Sequence, residues 1–113
     1  MMEASALVLS AVIEAPVAAL VVRLMGWPSR GATHVGLAAA VATAATHPQL
    51  WSAALWAYGR FPFWPAILTL EALVVIVEGL LIGWMAGLKP WRAMVVSLVA
   101  NAASVLAGLW IAG

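Results

Sequence analysis

Four stretches of predominantly apolar residues, each about twenty long, follow one another along this 113-residue chain with only short turns between them. No other feature constrains the fold as tightly. About 20 apolar residues in a helix cross about 30 Å of hydrocarbon. A segment in lipid must also satisfy its backbone hydrogen bonds internally, which selects helices or a closed barrel. The spans read as residues 5–24, 32–56, 65–88 and 91–112, the second reaching at least Leu50. Breakers fall between them. Gly26-Trp27-Pro28-Ser29-Arg30-Gly31 joins the first two spans, Tyr58 to Trp64 leads into the third, and Lys89-Pro90 turns into the fourth. Pro65 suits a first helical position, where its missing N–H costs nothing. The expected fold is all-α: an integral membrane four-helix bundle, one transmembrane domain over 1–113.

Composition agrees with that expectation. Charged residues make up 8% of the chain and hydrophobic residues 66%, whereas a soluble domain carries about 25% charged residues. A soluble enzyme, a disordered tail and a nucleic-acid module are excluded. The net charge of +1 offers nothing to a phosphate backbone. The absence of cysteine removes disulfides, thiolate chemistry and Cys-ligated metals. Only Glu3 is charged before Arg23, so the first span lacks the basic lead of a signal peptide and reads as a retained helix.

Charge also sets an orientation. Arg23, Arg30, Lys89 and Arg92 lie in or beside the turns after the first and third spans, and Arg60 lies alone on the other side. The positive-inside rule then places both termini outside, in a multi-pass protein of the cytoplasmic membrane. Trp51, Trp56, Tyr58, Phe61, Phe63 and Trp64 crowd the outer connection, where aromatic residues anchor a helix pair at the interface.

Three glutamates, Glu14, Glu71 and Glu78, fall inside spans. A charged side chain at mid-bilayer costs about 2.5–3.5 kcal/mol on insertion scales, so these side chains should face the bundle interior and find partners there. At about 1.5 Å per residue, Glu14 lies about 15 Å deep, Glu71 about 9 Å and Glu78 about 20 Å. His47 is level with Glu71. Thr43, Asn101 and Ser104 are level with Glu14, and Ser97 and Asn101 bracket Glu78. Glu71 and Glu78 are seven apart, Ser97, Asn101 and Ser104 form an i, i+4, i+7 stripe, and Thr43 and His47 are i, i+4, so each set shares a helix face. One polar seam through the bundle is expected. It reads either as a proton, cation or ligand site, or as hydrogen-bonding glue that fixes helix register. Pro16 and Pro48 free the carbonyls of Val12 and Ala44 beside it. No Glu-x-x-His or His-x-x-x-His pair is present, so no metal site is expected, and no cofactor either.

Two further patterns stand out. Gly79, Gly83 and Gly87 repeat every four residues, and Gly36/Ala40/Ala44 and Ala100/Ser104/Gly108 form similar small-residue rows. Such rows let helix backbones approach closely. The glycine row is expected either to pack inside the bundle or to meet another membrane subunit or a second copy. A weak two-fold internal repeat sets Val41-Ala42-Thr43-Ala44-Ala45-Thr46 against Val99-Ala100-Asn101-Ala102-Ala103-Ser104, with Glu14 opposite Glu71. The two halves would run parallel, related by an axis along the membrane normal.

The run from Thr46-His47-Pro48-Gln49-Leu50-Trp51 through Glu71-x6-Glu78 to Ser97-x3-Asn101-x2-Ser104-x3-Gly108 resembles a group of small uncharacterised bacterial four-helix membrane proteins. That resemblance covers the second to fourth spans and implies no activity. Size, four spans and Glu14 in the first span resemble the small multidrug resistance transporters, dimers in which one glutamate of the first helix binds both proton and cationic drug. This second likeness is confined to the first span and the architecture. The third span carries two additional glutamates and lacks that family's aromatic and glycine signature.

Two functions follow as expectations. One is a non-catalytic accessory or structural subunit of a larger bioenergetic or transport complex, suggested by the lack of extramembrane mass and the small-residue faces. The other is a small proton-coupled transporter using the intramembrane glutamates. An enzyme is not expected, because the chain has no aspartate, no Ser–His nucleophile motif and no metal-ligand spacing. The expected partners are the lipid bilayer and other membrane subunits or a second copy, and not nucleic acid. The topology is open to test. Single cysteines at positions 29 and 89 should be labelled by an impermeant maleimide from the same side of the membrane, and one at position 60 from the opposite side.

Overall fold

The computed structural model describes residues 3–112, so residues 1, 2 and 113 of the expected domain lie outside the described residues. Four helices account for nearly all of it: α1 (Glu3–Met25), α2 (Ala32–Tyr58), α3 (Phe63–Ala86) and α4 (Pro90–Ala112). Among the described residues there is no strand. Each helix packs against two others, in the cyclic order α1, α2, α3, α4 and back to α1. The bundle measures 42 × 24 × 20 Å, and its long axis matches a bilayer with its headgroup layers, about 40–45 Å.

The helix ends follow from local chemistry. Glu3 in the first turn of α1 and Arg23 in its last complement the helix dipole. Gly31 precedes α2 at φ 117°, a region closed to other residues by Cβ sterics. α2 runs on through Pro48 to Tyr58 as one helix. α3 starts at Phe63 rather than at Pro65, because a proline anywhere in the first turn forfeits only an N–H that has no intrahelical partner. It stops at Ala86, two residues short of expectation. Gly87 takes the left-handed conformation (φ 72°, ψ 32°), and its N–H and that of Leu88 both return to the Gly83 carbonyl. Pro90 occupies the first position of α4.

The glycine row is therefore divided. Gly87 is a helix cap and belongs to no packing face. Gly79 and Gly83 face α4: a Cβ on Gly79 would lie 2.6 Å from Met94 Sδ and 3.3 Å from Met94 Cα, and one on Gly83 would lie 3.1 Å from Ala93 Cβ. These two contacts are spent inside the chain. Gly36 does the same for α1 and α2, where a Cβ would stand 2.9 Å from the Ala15 carbonyl oxygen.

α1, α3 and α4 are each long and apolar enough to cross a membrane. α2 is the longest helix, at 27 residues, yet it falls short on hydropathy, because Thr33, His34, Thr43, Thr46, His47 and Gln49 dilute its alanines. Its most deeply placed polar groups, Thr43 and His47, are turned inward and buried. Large apolar side chains cover the outside: Leu20, Leu68, Trp84 and Leu106 are each more than half exposed. The interior is built of small and polar residues. That distribution is the reverse of a water-soluble bundle, in which Leu and Trp would fill the core.

The turns after α1 and α3 dock against one another. The Arg30 backbone N–H donates to the Ala86 carbonyl, its guanidinium to the Met85 carbonyl, and His34 Nε2 lies 3.0 Å from the same oxygen. Trp27 and Trp91 meet edge to face, and Arg92 lies over both rings. This basic end of the bundle is opposed by an aromatic end around Trp56, Tyr58, Phe61, Phe63 and Trp64. Directly above the basic turns, Ala18, Val22, Val35, Ala38, Ala42, Ile82, Ala86, Ala93 and Val96 form a dry apolar plug.

A side chain at Gly36 would press on backbone that cannot swing away. Gly36→Leu should cost about 1–3 kcal/mol by overpacking. Gly108→Ala, which meets nothing within 4 Å, should be neutral or gain up to about 1 kcal/mol of helix propensity. Thermal melts in mild detergent would separate the two.

Candidate functional site

All four helices contribute polar side chains to one chamber of about 180 Å³ on the aromatic-end side of the plug. Helical spacing explains the convergence. Ser10 and Glu14 on α1 are i, i+4. Thr43, Thr46 and His47 on α2 are i, i+3, i+4. Glu71 and Glu78 on α3 are i, i+7, and Asn101 and Ser104 on α4 are i, i+3. Residues at these separations share one face of a helix, and these faces meet at the bundle axis.

Two carboxyl groups dominate the chamber, and both are 3% exposed. Glu14 Oε1 accepts a hydrogen bond from Thr43 Oγ1 at 3.2 Å. Glu78 Oε1 accepts from Thr46 Oγ1 at 2.7 Å, and its Oε2 accepts from Asn101 Nδ2 at 3.0 Å. Asn101 is in turn held by the Ser97 carbonyl at 2.9 Å, and Ser97 Oγ donates to the Val75 carbonyl. Glu14 and Glu78 thus line one chamber together, Glu14 with a hydroxyl donor on Oε1 and Glu78 with a hydroxyl and an amide donor on its two oxygens.

Glu71 stands apart. It lines the chamber one heptad toward the aromatic end, is half-buried, and makes no hydrogen bond among the described residues. His47, expected as its partner, lines the same chamber but does not bond to it. The imidazole stacks on Trp51, with centroids 5.9 Å apart, and its buried Nδ1 has no partner. An unpartnered ring nitrogen and a free carboxyl, bordering a space large enough for several waters or a small solute, leave the chamber with unspent hydrogen-bonding capacity.

Of the residues expected in the polar seam, Glu14, Thr43, His47, Glu71, Glu78, Asn101 and Ser104 all line the chamber. Ser97 sits behind Asn101 as its support. Gly79 and Gly83 lie elsewhere, against α4, and Gly87 caps α3. Two residues were missed by sequence reasoning. Thr46 binds Glu78, and Ser10 accepts from Ser104 at 3.1 Å. Both were available from spacing, Thr46 one turn from Thr43 and Ser10 one turn from Glu14. The internal repeat also needs adjustment. Thr43 holds Glu14, and its counterpart Asn101 holds Glu78 rather than Glu71. The carboxyl matching Glu14 in the second half is therefore Glu78, one heptad from Glu71, which the sequence repeat set opposite it. Among the described residues no three His or Glu side chains converge as a metal-binding group.

Removing the amide from Glu78 should matter more than removing a peripheral hydroxyl. Asn101→Leu should destabilise the bundle by about 1–3 kcal/mol, the cost of a buried acceptor left unmet. Ser104→Ala should cost about 0.6 kcal/mol, the average for an interhelical hydrogen bond in a membrane protein. Detergent melts of the two variants would rank them. Comparison with protein-family models, with curated proteins and with solved structures gives no match to this chain.

Proposed function

We propose that this chain is a small membrane carrier that exchanges protons for a small cationic solute at the Glu14–Glu78 pair. The observation that carries this reading is the pair itself: two buried carboxyls lining one chamber built by all four helices. In this scheme the two carboxyls hold one proton between them and so bear a single negative charge. A cation that enters and binds both carboxylates releases that proton, and a returning proton expels the cation. Occupancy by one excludes the other, and this exclusion is the coupling that an exchanger requires. Thr43 holds Glu14 through Oε1, and Thr46 and Asn101 hold Glu78 through both of its oxygens. Glu71, half-buried and nearer the aromatic end, is placed to relay protons and cations into the chamber.

The apolar plug gives the arrangement a direction. Below the chamber the interior is Ala, Val and Ile, and a dry apolar layer is a barrier to ions. The site therefore faces the aromatic end, and transport requires a second arrangement in which the plug opens. By the charge rule the basic end is cytoplasmic and the aromatic end is outside.

A second reading, a non-catalytic accessory subunit of a larger membrane complex, draws support from α4. Near its end Gly108 is uncovered and Trp110 is 85% exposed, a surface on which another helix would fit. It draws none from Gly79 and Gly83, which already meet α4. Migration as an isolated monomer after mild extraction from the native membrane would count against this second reading.

Liposomes with an entrapped pH dye test the carrier. Addition of sodium, potassium or methylammonium outside should drive a proton flux in the wild type for at least one cation. Glu14→Gln and Glu78→Gln should each abolish it, and Ser104→Ala should retain it. Equal flux in wild type and both glutamine variants would sink the proposal.

A further inference from the structure

The outer side of the α2–α3 seam carries two depressions, the second of which shares Thr46 and Leu50 with the chamber. The first, of about 440 Å³, lies at the basic end, with Arg30 and His34 at its head and Leu37, Val41 and Trp84 along its walls. The second, of about 400 Å³, continues along the same two helices between Ala45, Gln49 and Ala53 of α2 and Leu70, Leu73 and Val77 of α3. On α3 the wall is one continuous stripe, because Trp84, Val77, Leu73 and Leu70 are seven, four and three residues apart. At about 1.5 Å per residue, the seam from His34 to Ala53 runs about 28 Å.

Its two ends differ in chemistry. Positive charge collects at the head, where Arg23, Lys89 and Arg92 join Arg30 at the same end of the bundle. No carboxylate occurs between Glu14 and Glu71 or after Glu78, so nothing in the chain neutralises that charge locally. The guanidinium of Arg30 is held in place by the Met85 carbonyl through Nη1. A guanidinium has five N–H donors, and those outside Nη1 have no protein acceptor among the described residues. Beyond the head, the walls are almost wholly apolar for the length of an acyl chain.

We propose that the α2–α3 seam binds one anionic phospholipid, with its phosphate on Arg30 and an acyl chain laid along Leu37, Val41 and Trp84 toward Val77. Charge complementarity at one end only, and an apolar track of bilayer depth beyond it, fit an amphiphile with a single charged head. By the charge rule the head lies in the cytoplasmic leaflet, where anionic lipids concentrate. Thr46 borders both the seam and the chamber, so the seated chain lies against the residue that holds Glu78. The site does not depend on the carrier reading and is tested without any flux measurement.

Native mass spectrometry of the full chain released from nanodiscs provides the test. The nanodiscs contain phosphatidylglycerol and phosphatidylcholine with identical acyl chains. The wild type should retain phosphatidylglycerol about fivefold better, the preference expected from one interfacial cation. Arg30→Gln should remove that preference. Because Arg30 also secures the end of α3, a second variant leaves it intact: Val41→Trp, at a position 56% exposed, should block the track and lower retention to the same level. Equal retention of both lipids by the wild type would overturn the proposal, as would undiminished retention by Val41→Trp. So would competition by glycerol 3-phosphate at the concentration of the lipid, which would mark a free-anion site. A photo-crosslink from position 41 to a protein rather than to lipid in the native membrane would assign the seam to another subunit.

Discussion

The cost of burying a carboxyl group among apolar helices organises this molecule. Glu14 and Glu78, both 3% exposed, meet donors from neighbouring helices at Oε1 of Glu14 and at both oxygens of Glu78. Those donors come from α2 and α4, and the carboxyls from α1 and α3. The hydrogen bonds therefore run α2 to α1, α2 to α3 and α4 to α3, and they tie the cyclic bundle across three of its four seams. The fourth seam, between α1 and α4, is closed at the same level by Ser104 and Ser10. Individually such bonds are worth well under 1–2 kcal/mol in a membrane. Together they specify which faces of four nearly featureless helices meet, a choice that apolar packing alone leaves degenerate when lipid is as apolar as the side chains.

Backbone proximity makes those short polar side chains effective. Thr, Ser and Asn reach only a few ångströms, so the helices that carry them must pack closely. Gly36 against the Ala15 carbonyl, and Gly79 and Gly83 against Met94 and Ala93, allow that approach. The alanines of the plug serve the same end beneath the chamber. The bulk that a soluble protein would bury is displaced outward, to Leu20, Leu68, Trp84 and Leu106. Small inside and large outside is thus the same requirement as carboxyls inside, seen from the packing side.

Much of this was legible in the sequence because two signals are strong there. Runs of about twenty apolar residues fix the number of helices, and carboxyls within such runs point to the interior. Helical spacing then grouped Glu71 with Glu78, and Asn101 with Ser104, on shared faces. What spacing could not supply was rotation between helices. Depth arithmetic put His47 opposite Glu71, and they are indeed neighbours in one chamber, but the imidazole turned to stack on Trp51. The repeat alignment set Glu71 opposite Glu14, whereas the structure pairs Asn101 with Glu78, one heptad away. Gly87 shows a different limit. A glycine four residues after Gly83 continues a packing row or ends the helix, and only its left-handed φ of 72° decides. For α2 the polar residues that lowered its hydropathy are in part the ones that build the chamber, so a weak membrane signal and a strong site signal share a cause.

The chamber's position relative to the plug bears on what a bundle this small can do. The chamber residues lie in α1 up to its midpoint, at Ser10 and Glu14, and in α2 around its midpoint, at Thr43, Thr46 and His47. Antiparallel neighbours bring those stretches to one level and leave Ala18, Val22, Val35 and Ala38 to meet at another. The third and fourth helices repeat the arrangement, with Glu71 and Glu78 above Ile82 and Ala86, and Asn101 and Ser104 above Ala93 and Val96. One-sidedness is therefore written into every helix rather than imposed by a lid or a loop. A continuous polar path would conduct. Here a polar half is closed by an apolar half built of Ala, Val and Ile side chains.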